Sequence, residues 1–424
     1  LYANMTVEFD GKTMPMPMLG KYKVSADRAV RRAAYEAEGK VFDANRAELD
    51  EIYDKLVHNR NAQGRMLGYP NFIQLGYDRC FAQSEGKLQK ELAAFRDQIA
   101  NDLVPIIAEV KEAQRKRIGV DRLYIYDDKF RFPDGNPTPE GTAEEILAAG
   151  RRMYEELSPE TKEFIDFLYD NELLDVLSRE GKAPGGYCTM FEKYKAPFIF
   201  SNFNGTAGDV DVLTHEAGHA FAFYRAMNSD IYPDLREPTI EACECHSMSM
   251  EFLTQDYHKY FFGAQTAKYE LAHCEDSLDF IPYGCMVDEF QHLMYENEDL
   301  TPDERHGVWE KLEKKYRPWL SMDGLPFYGR YAHWQWKPHI YLNPLYYIDY
   351  CMAGTVAFQV WTLSLQDRKA AWEKYLAFVD QAGTKTFADL CQSVGLRIPY
   401  EDGCIREVGS GIRDWIRENR PAEA

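Results

Sequence analysis

The chain has 424 residues and a mass of 49.1 kDa, a length that predicts two or three domains or one large helical unit. Its formal net charge of −20 argues against binding to nucleic acid or to an anionic membrane surface, because both need fields of Lys and Arg. A hydrophobic fraction of 45% excludes intrinsic disorder, and no apolar run approaches the length of a transmembrane helix.

The first residues, from Leu1 to Asn4, carry neither an initiator Met nor a signal-peptide pattern. We therefore expect a processed, trimmed or shortened chain. Nine cysteines are scattered from Cys80 to Cys404 without a CxxC pair, which is typical of free thiols in a reducing compartment. This usage predicts a cytoplasmic protein.

The first 180 residues are predicted to be mainly helical after a short β-hairpin. Alternation around Asp10-Gly11 indicates a hairpin over 6–17, and Ser25 and Asp27 are candidate caps for the first long helix. Helical periodicity predicts helices over 25–67, 87–117, 142–157 and 159–175. A connection rich in Pro and Gly at 127–139 separates the two pairs.

The sequence pattern changes between Gly181 and Thr206. Short apolar runs alternate there with Gly-rich turns, which predicts short strands. Helical patterns resume at Asp209 and continue to the C-terminus. The predicted architecture is mainly α with a small sheet in the middle. We divide it into a helical part over 1–180 and a catalytic part over 181–424.

Residues 215–219 read His-Glu-Ala-Gly-His, which is the HExxH pattern on a predicted helix. Residues four apart lie on one helical face, so His215 and His219 can bind one metal ion. Glu216 lies on the adjoining face, where it can reach a metal-bound water. Two imidazoles and one carboxylate suit zinc and leave a position for the water that becomes the nucleophile. The alternative is an amphipathic helix with two hydrogen-bonded histidines.

A third ligand is expected from the predicted helix that follows Pro238. Four glutamates share one face of this helix, and their apolar neighbours predict partial burial, which requires partners such as a metal with its histidines. They are Glu237, Glu241, Glu244 and Glu251. Helix geometry alone does not decide which of them is the ligand.

Six blocks of sequence between residues 181 and 350 resemble the oligoendopeptidase F and thimet oligopeptidase family of zinc metallopeptidases, and within it the Pz-peptidase-like branch. The blocks are GKAPGGYC (181–188), PFIFSNFNGT (197–206), DVLTHEAGHAF (211–221), EACECHSMSMEF (241–252), IPYGCMVDEFQH (281–292) and HIYLNPLYYIDY (339–350).

The resemblance implies that the third ligand is Glu244, because the family places a glutamate 25 residues after the second histidine. A further family glutamate, seven residues on, corresponds to Glu251, in a role supporting the ligands. Glu241 is then expected to accept a hydrogen bond from a ligand imidazole. Asp211, one turn before His215, is a weaker candidate for such support, and an acid favoured by the helix dipole explains it equally well.

The resemblance also implies that HIYLNPLYYIDY supplies donors for the oxyanion of the tetrahedral intermediate. His339 and Tyr350 are the expected donors, helped by Tyr347 or by Tyr346, which would also contact the substrate. The alternative for each tyrosine is a place in the core. The usual family pattern has Phe where this chain has Leu345.

The PFIFSNFNGT block is expected to form a strand before the zinc helix. Such a strand can pair its free edge with an extended peptide substrate. The alternative is an ordinary core strand that ends in a turn. The candidate substrate-binding residues are Phe200, Ser201, Asn202, Phe203 and Gly205.

The resemblance therefore predicts a helical zincin fold with a deep substrate channel and one Zn²⁺ per chain. The expected function is a zinc-dependent endopeptidase that cleaves short peptides in the cytoplasm through a metal-activated water. A zinc carboxypeptidase or dipeptidase, or a non-catalytic peptide-binding fragment, remains an alternative.

Family members carry on the order of 150 further N-terminal residues that form part of a channel wall. We expect an apolar patch between Ser25 and Arg117, covered by that segment or by another chain.

Overall fold

The computed structural model describes residues 1–79, 89–177, 179, 182 and 185–420. The described chain forms two compact units, each made of two stretches of sequence. Unit 1 contains 1–136 and 275–351, and unit 2 contains 137–274 and 352–420. The predicted parts 1–180 and 181–424 were defined by their expected roles, and those roles stay a prediction.

Unit 1 begins with the predicted hairpin, which the structure confirms as β1 (Thr6–Phe9) and β2 (Lys12–Pro15) in antiparallel register. Asp10 and Gly11 form the turn with φ of +53° and +69°. Two positive φ angles fit a type I′ turn, whose twist matches that of the flanking strands.

Six helices follow in unit 1. They are α1 (Gly20–Lys23), α2 (Arg28–Ala44), α3 (Arg46–Met66), α4 (Phe72–Arg79), α5 (Gln89–Gln98) and α6 (Val104–Arg117). The predicted cap is confirmed, because the Asp27 carboxylate accepts a hydrogen bond from the Ala29 amide. In the range where we expected an apolar patch, the large exposed apolar side chains among the described residues are Met66 and Leu67.

The prediction of one helix over 25–67 is wrong, because the chain breaks at Asn45 between α2 and α3. The Asn45 amide donates to the Val41 carbonyl at 2.8 Å, and such local side-chain bonds compete with the helical ladder. The helix predicted over 87–117 is interrupted by a π turn at Ile99–Leu103, just before Pro105, which lacks the amide hydrogen that a helix needs. Its first two residues lie outside the described range.

Unit 2 contains the larger sheet, in the strand order β3-β5-β4. Its strands are β3 (Leu174–Leu177), β4 (Tyr187–Phe191) and β5 (Ala196–Phe203), with β3 parallel and β4 antiparallel to β5. The strands predicted between Gly181 and Thr206 are thus confirmed, although residues 181, 183 and 184 lie outside the described range. The helix predicted over 159–175 is wrong at its end, because it stops at Asp170 and Glu172 takes a left-handed φ of +54°.

The remaining helices confirm the mainly α architecture with small sheets. They are α7 (Ala143–Leu157), α8 (Pro159–Asp170), α9 (Ala207–Met227), α10 (Ile240–Leu253), α11 (Lys259–Phe262), α12 (Thr266–Glu296), α13 (Pro302–Tyr316), α14 (Pro326–Gly329), α15 (Pro338–Leu342), α16 (Tyr347–Gln366), α17 (Arg368–Val379), α18 (Phe387–Ser393) and α19 (Cys404–Asn419). Within the described ranges, none of the helices combines the length and apolar character that a bilayer span requires.

Candidate metal and catalytic site

The turn between β5 and α9 fixes the start of the helix that carries the HExxH pattern. The buried Asp209 carboxylate accepts hydrogen bonds from the amides of Asn204 at 2.9 Å and Gly205 at 2.7 Å. Gly205 has a φ of +82°, a conformation that glycine adopts without strain. This turn leads directly from the sheet into α9 and sets the position of His215 two turns later.

Helices α9 and α10 pack closely because Gly218 lies between the two histidines of the pattern. A Cβ atom at this position would lie 2.6 Å from the Ser247 Cα and 2.8 Å from the His246 carbonyl oxygen. Only glycine permits this approach without a backbone shift. The fourth position of HExxH is thus filled by a residue that brings the glutamate-bearing helix against the histidines.

Three potential ligands converge where α9 meets α10. The Oε2 atom of Glu244 lies 3.3 Å from the Nε2 atom of His215 and 3.5 Å from that of His219. All three donor atoms lie within 4.8 Å of one another. The structure therefore brings together the two predicted histidines and the glutamate that the family spacing selects.

These separations fit a zinc ion. Zinc bonds to histidine nitrogen and carboxylate oxygen are about 2.0–2.2 Å long in a tetrahedral site, so neighbouring donors are about 3.4 Å apart. Two imidazoles and a carboxylate are also a donor set that catalytic zinc sites use. The residues present fit the predicted cofactor in both chemistry and spacing.

Glu251 contacts one member of this donor set. Its Oε1 atom lies 2.7 Å from Nδ1 of His215, and its Oε2 atom lies 2.8 Å from Nε2 of His273. A carboxylate on Nδ1 directs Nε2 of the same ring towards a metal and makes that nitrogen more basic. His273 was given no role from the sequence, because it lies on α12 and no local spacing links it to the HExxH pattern.

The charges of the group follow from these contacts. Burial opposes the charged form of His215, but hydrogen bonds to Glu244 and Glu251 raise its pKa well above the usual value. Burial also opposes ionisation of Glu251, yet its hydrogen bonds to His215 and His273 lower its pKa to about 2. The pKa of Glu244 is likewise lowered, since the attraction of His219 and hydrogen bonds to both histidines outweigh its burial. Both carboxylates are therefore ionised at neutral pH, which is the form that a metal site needs.

Glu216 differs from these acids. Its side chain is 8% exposed, and its Oε2 atom has no hydrogen-bond partner among the described residues. Burial raises its pKa above the usual value for glutamate, with His215 and His219 acting in the opposite direction. A Cβ atom on Gly186, just before β4, would lie 3.6 Å from the Glu216 Oε1 atom. Glu216 is thus a buried carboxylate with a raised pKa, and it lies beside the backbone that leads into β4.

The two other predicted supporting acids are in different surroundings. Glu241 is buried on α10, one turn before Glu244, with 2% of its surface exposed. Asp211 accepts a hydrogen bond from the Tyr269 hydroxyl. Their expected support of the metal ligands stays a prediction.

The expectation that the PFIFSNFNGT strand offers a free edge is wrong. This strand is β5, the middle strand of the sheet, with β3 on one side and β4 on the other. The edge towards α9 and Glu216 belongs to β4, whose Tyr187 ring stacks on Phe200 at 5.0 Å between ring centroids. Roles in substrate binding for the five β5 and turn residues stay a prediction.

The predicted oxyanion donors lie in unit 1, on α15 and at the start of α16. His339 is 4.9 Å from Tyr347 and 6.1 Å from Tyr346 between ring centroids, and Tyr350 contacts both tyrosines. The His339 Nδ1 atom is buried and has no hydrogen-bond partner among the described residues. Burial, with the nearby Lys337, lowers the pKa of His339 to about 4. The four rings therefore form one cluster in which the imidazole is neutral at pH 7. Their relation to the metal ligands stays a prediction.

Leu345 lies in the sequence between His339 and the three tyrosines of this cluster. Its backbone is in a left-handed conformation, with φ of +66°. Such a φ is unfavourable for leucine and persists only where its surroundings enforce it. Leu345 is fully buried and its amide donates to the Gln291 Oε1 atom at 3.0 Å, so packing and a hydrogen bond hold the turn that starts α16.

Two imidazoles, a carboxylate and a neighbouring buried glutamate on adjacent helices are typical of metallohydrolases. Residues 21–410 match the model of peptidase family M3, so the chain belongs to this family. The resemblance found in the sequence is thereby confirmed.

Known relatives agree with this assignment. The chain is 24% identical over 306 residues to an oligoendopeptidase F homolog of Borreliella burgdorferi, covering 70% of this chain and 50% of that protein. It is 25% identical over 409 residues to the chromosomal oligoendopeptidase F of Lactococcus lactis subsp. cremoris, covering 90% and 62%. The solved structure of PZ peptidase A with inhibitor 2 superposes with a TM-score of 0.94 and 46% identity, over 98% of this chain and 74% of that one. The chain thus spans about half to three-fifths of the length of these two curated relatives.

The contact between Glu251 and His215 leads to a prediction about metal affinity. Glu251→Ala should weaken zinc binding by roughly 10–100-fold, because the ligand imidazole loses the acceptor that orients it. Competition with a chromophoric chelator measures the affinity. Glu237→Ala, which removes an exposed acid just before α10, is the matched control. Equal zinc affinity in the two variants would show that Glu251 does not support the metal site.

Proposed function

We propose that this chain is a zinc-dependent endopeptidase that hydrolyses short oligopeptides. The observation that carries the proposal is the convergence of His215, His219 and Glu244 on one point, beside the buried Glu216. Membership of peptidase family M3 supports peptides as the substrate class. His215, His219 and Glu244 would hold one Zn²⁺ per chain.

Zinc, when bound, lowers the pKa of a water molecule and polarises a carbonyl group. Glu216 accepts the proton of the attacking water and delivers it to the departing amine. Its raised pKa suits both roles, because a general base works best when its proton affinity is close to that needed at the operating pH. Glu251 keeps His215 oriented throughout, since it holds the Nδ1 side of the ring.

In this proposal, the substrate adds to the sheet as an extended strand. The position that fits is the free edge of β4, because β5 is already paired on both sides. Gly186, beside Glu216, would then place the substrate backbone near the catalytic base. Phe200 would contribute to substrate binding indirectly, because its ring stacks on the ring of Tyr187 in β4.

His339 and the tyrosines of α16 are proposed to stabilise the oxyanion. A neutral imidazole and phenol hydroxyls donate hydrogen bonds to a developing negative charge without needing a charge of their own. The cluster fits this role because its rings contact one another and the His339 pKa keeps the imidazole neutral.

Tyr350→Phe should reduce kcat with little change in KM, because its hydroxyl engages the transition state and not the bound substrate. Loss of one oxyanion donor typically costs about 10²–10³ in kcat. Steady-state kinetics on a quenched fluorescent peptide measure both constants. Tyr346→Phe, which lies four residues earlier and just before α16, is the matched variant. An unchanged kcat for Tyr350→Phe would move the role to Tyr346 or Tyr347, or to no tyrosine.

The experiment that tests the function is product analysis on the zinc-loaded chain, using a peptide of about ten residues with both ends blocked. Cleavage at an internal bond supports an endopeptidase. Cleavage only of the matching peptide with a free C-terminus, one or two residues from its end, would favour a carboxypeptidase or dipeptidase. Peptide binding without any cleavage would favour a peptide-binding fragment.

The proposed compartment is the cytoplasm, and the proposed partners are short peptides, with no nucleic acid or membrane. Eight cysteines lie in the described part of the chain and all are free thiols, as a reducing compartment predicts.

A further inference from the structure

Unit 1 contains a cavity of about 200 Å³ that lies outside the predicted metal centre. Four cationic side chains line it, together with aromatic rings and two aspartates. The cations are Lys111, Lys129, Arg317 and Lys337. One water occupies about 30 Å³ of liquid, so the cavity has room for a small polar group and its hydration.

Three of the four cations are paired with acids. Lys111 contacts both aspartates of the lining, Asp128 at 2.7 Å and Asp279 at 2.5 Å. Lys129 pairs with Asp276 at 2.8 Å, and Arg317 donates to Glu313 on its own helical turn. The charges of the two lining aspartates are thus already compensated.

Lys337 is the exception. No carboxylate of the described residues lies within ion-pair distance of its Nζ atom. The ammonium faces aromatic rings instead, at 5.1 Å from the ring of Tyr347 and 5.6 Å from those of Tyr283 and Trp336. Burial, with the repulsion of Lys129 and Arg317, lowers the pKa of Lys337 to about 8. The side chain therefore carries most of its charge at neutral pH without a counter-ion.

Hydrogen-bond donors around the same cavity also lack partners. Tyr283 is 9% exposed, and its hydroxyl proton has no acceptor among the described residues. The indole N–H group of Trp319 is buried and has no partner among the described residues either, and an indole can only donate. Asp279 has one carboxylate oxygen without a hydrogen bond, but Arg131 and Lys111 hold its other oxygen. An unpaired cation beside two such donors is the environment that an anion requires.

We propose that this cavity binds the C-terminal carboxylate of a short peptide, with Lys337 as its counter-ion and Tyr283 and Trp319 as donors. The identification of the ligand as a peptide rests on the proposed function. The proposal also names the basic residue that a preference for free C-termini would need.

Two observations favour a peptide carboxylate over a phosphate. Within the described part of the chain, one cation of the cavity lacks an acid partner, which matches a monoanion better than a phosphate dianion. Lys337 also lies two residues before His339 and contacts the ring of Tyr347, which in turn contacts His339. One extended residue spans about 3.3–3.6 Å, so a carboxylate at Lys337 is one or a few residues from a carbonyl at the His339 cluster.

The test compares two short peptides that differ only in a free or an amidated C-terminus. The wild-type chain should favour the free acid in kcat/KM by about 10-fold or more, the size of a charge-assisted hydrogen bond. Lys337→Met should reduce this ratio to near one. Lys337→Arg, which keeps the charge, should retain part of it, and Lys21→Met, which removes an exposed lysine of unit 1, should retain all of it.

Calorimetry on the Glu216→Gln protein gives a readout that needs no turnover. The free acid should bind more tightly than the amide, and adding Lys337→Met should abolish the difference. Tyr283→Phe, which keeps the ring, should reduce the difference in affinity between the acid and the amide. This variant tests the site if Lys337→Met does not fold. A ratio unchanged in Lys337→Met, or binding of inorganic phosphate but not of the peptide acid, overturns the proposal. Lys337-dependent binding together with no turnover by the zinc-loaded wild-type chain overturns the proposed enzyme activity and supports the carboxylate site.

Discussion

Glu216→Gln is expected to keep zinc and to lose about 10²–10⁴ in kcat, the usual contribution of a general base. The amide keeps the size of the side chain but cannot accept the proton of the attacking water. Glu216 is not among the three converging donors, so zinc content should stay at one ion per chain. Initial rates on a quenched peptide and metal analysis of the same preparation measure the two quantities.

The matched control for this variant is Glu163→Gln, the same chemical change at an exposed position on α8. It should leave both turnover and zinc content unchanged. Stoichiometric zinc with wild-type turnover in Glu216→Gln would contradict the role of Glu216. Loss of zinc from Glu216→Gln would show that this carboxylate is needed to hold the metal.

Glu244→Ala is expected to remove nearly all zinc and with it the activity, because the carboxylate oxygen that lies 3.3–3.5 Å from both imidazole nitrogens is lost. Glu241→Ala should lower zinc affinity by roughly 10–100-fold, as the loss of a group that supports a ligand does. Metal analysis after dialysis separates the two variants. The opposite result, with zinc lost from Glu241→Ala and retained in Glu244→Ala, would show that the spacing of 25 residues selects the wrong acid.

The features that the sequence predicted well depend on local pattern. The hairpin at Asp10-Gly11 and the cap at Asp27 follow from residues within a few positions of one another. The approach of His215 and His219 needs only one turn of helix. Glu244 is further away, and its choice among four glutamates came from the family spacing and not from helix geometry.

The features that the sequence did not predict depend on contacts between distant segments. The place of β5 in the middle of its sheet is set by strand order, which the strand's own residues do not encode. His273 reaches Glu251 from another helix, and no motif connects them. The break at Asn45 was not predicted because the helical pattern of the sequence runs through this position. In the structure, the Asn45 side chain donates a hydrogen bond to the Val41 carbonyl there.

The cavity around Lys337 was also invisible in the sequence. Its lysine stands next to the recognised HIYLNPLYYIDY block, but the other cations of the lining come from as far away as Lys111. Only the fold shows that the neighbouring cations have acid partners and that Lys337 has none among the residues that the structure describes.

His215, His219 and Glu244 are expected to hold a catalytic zinc ion. The most direct measurement is anomalous diffraction at the zinc absorption edge from crystals of this chain grown with one equivalent of zinc. We predict a single strong peak on α9 and α10, at about 2.0–2.2 Å from both Nε2 atoms and from a Glu244 carboxylate oxygen. If the chain binds zinc but no peak lies between these three side chains, the assignment of the ligands is wrong. A peak with Glu241 as a ligand in place of Glu244 would also contradict it.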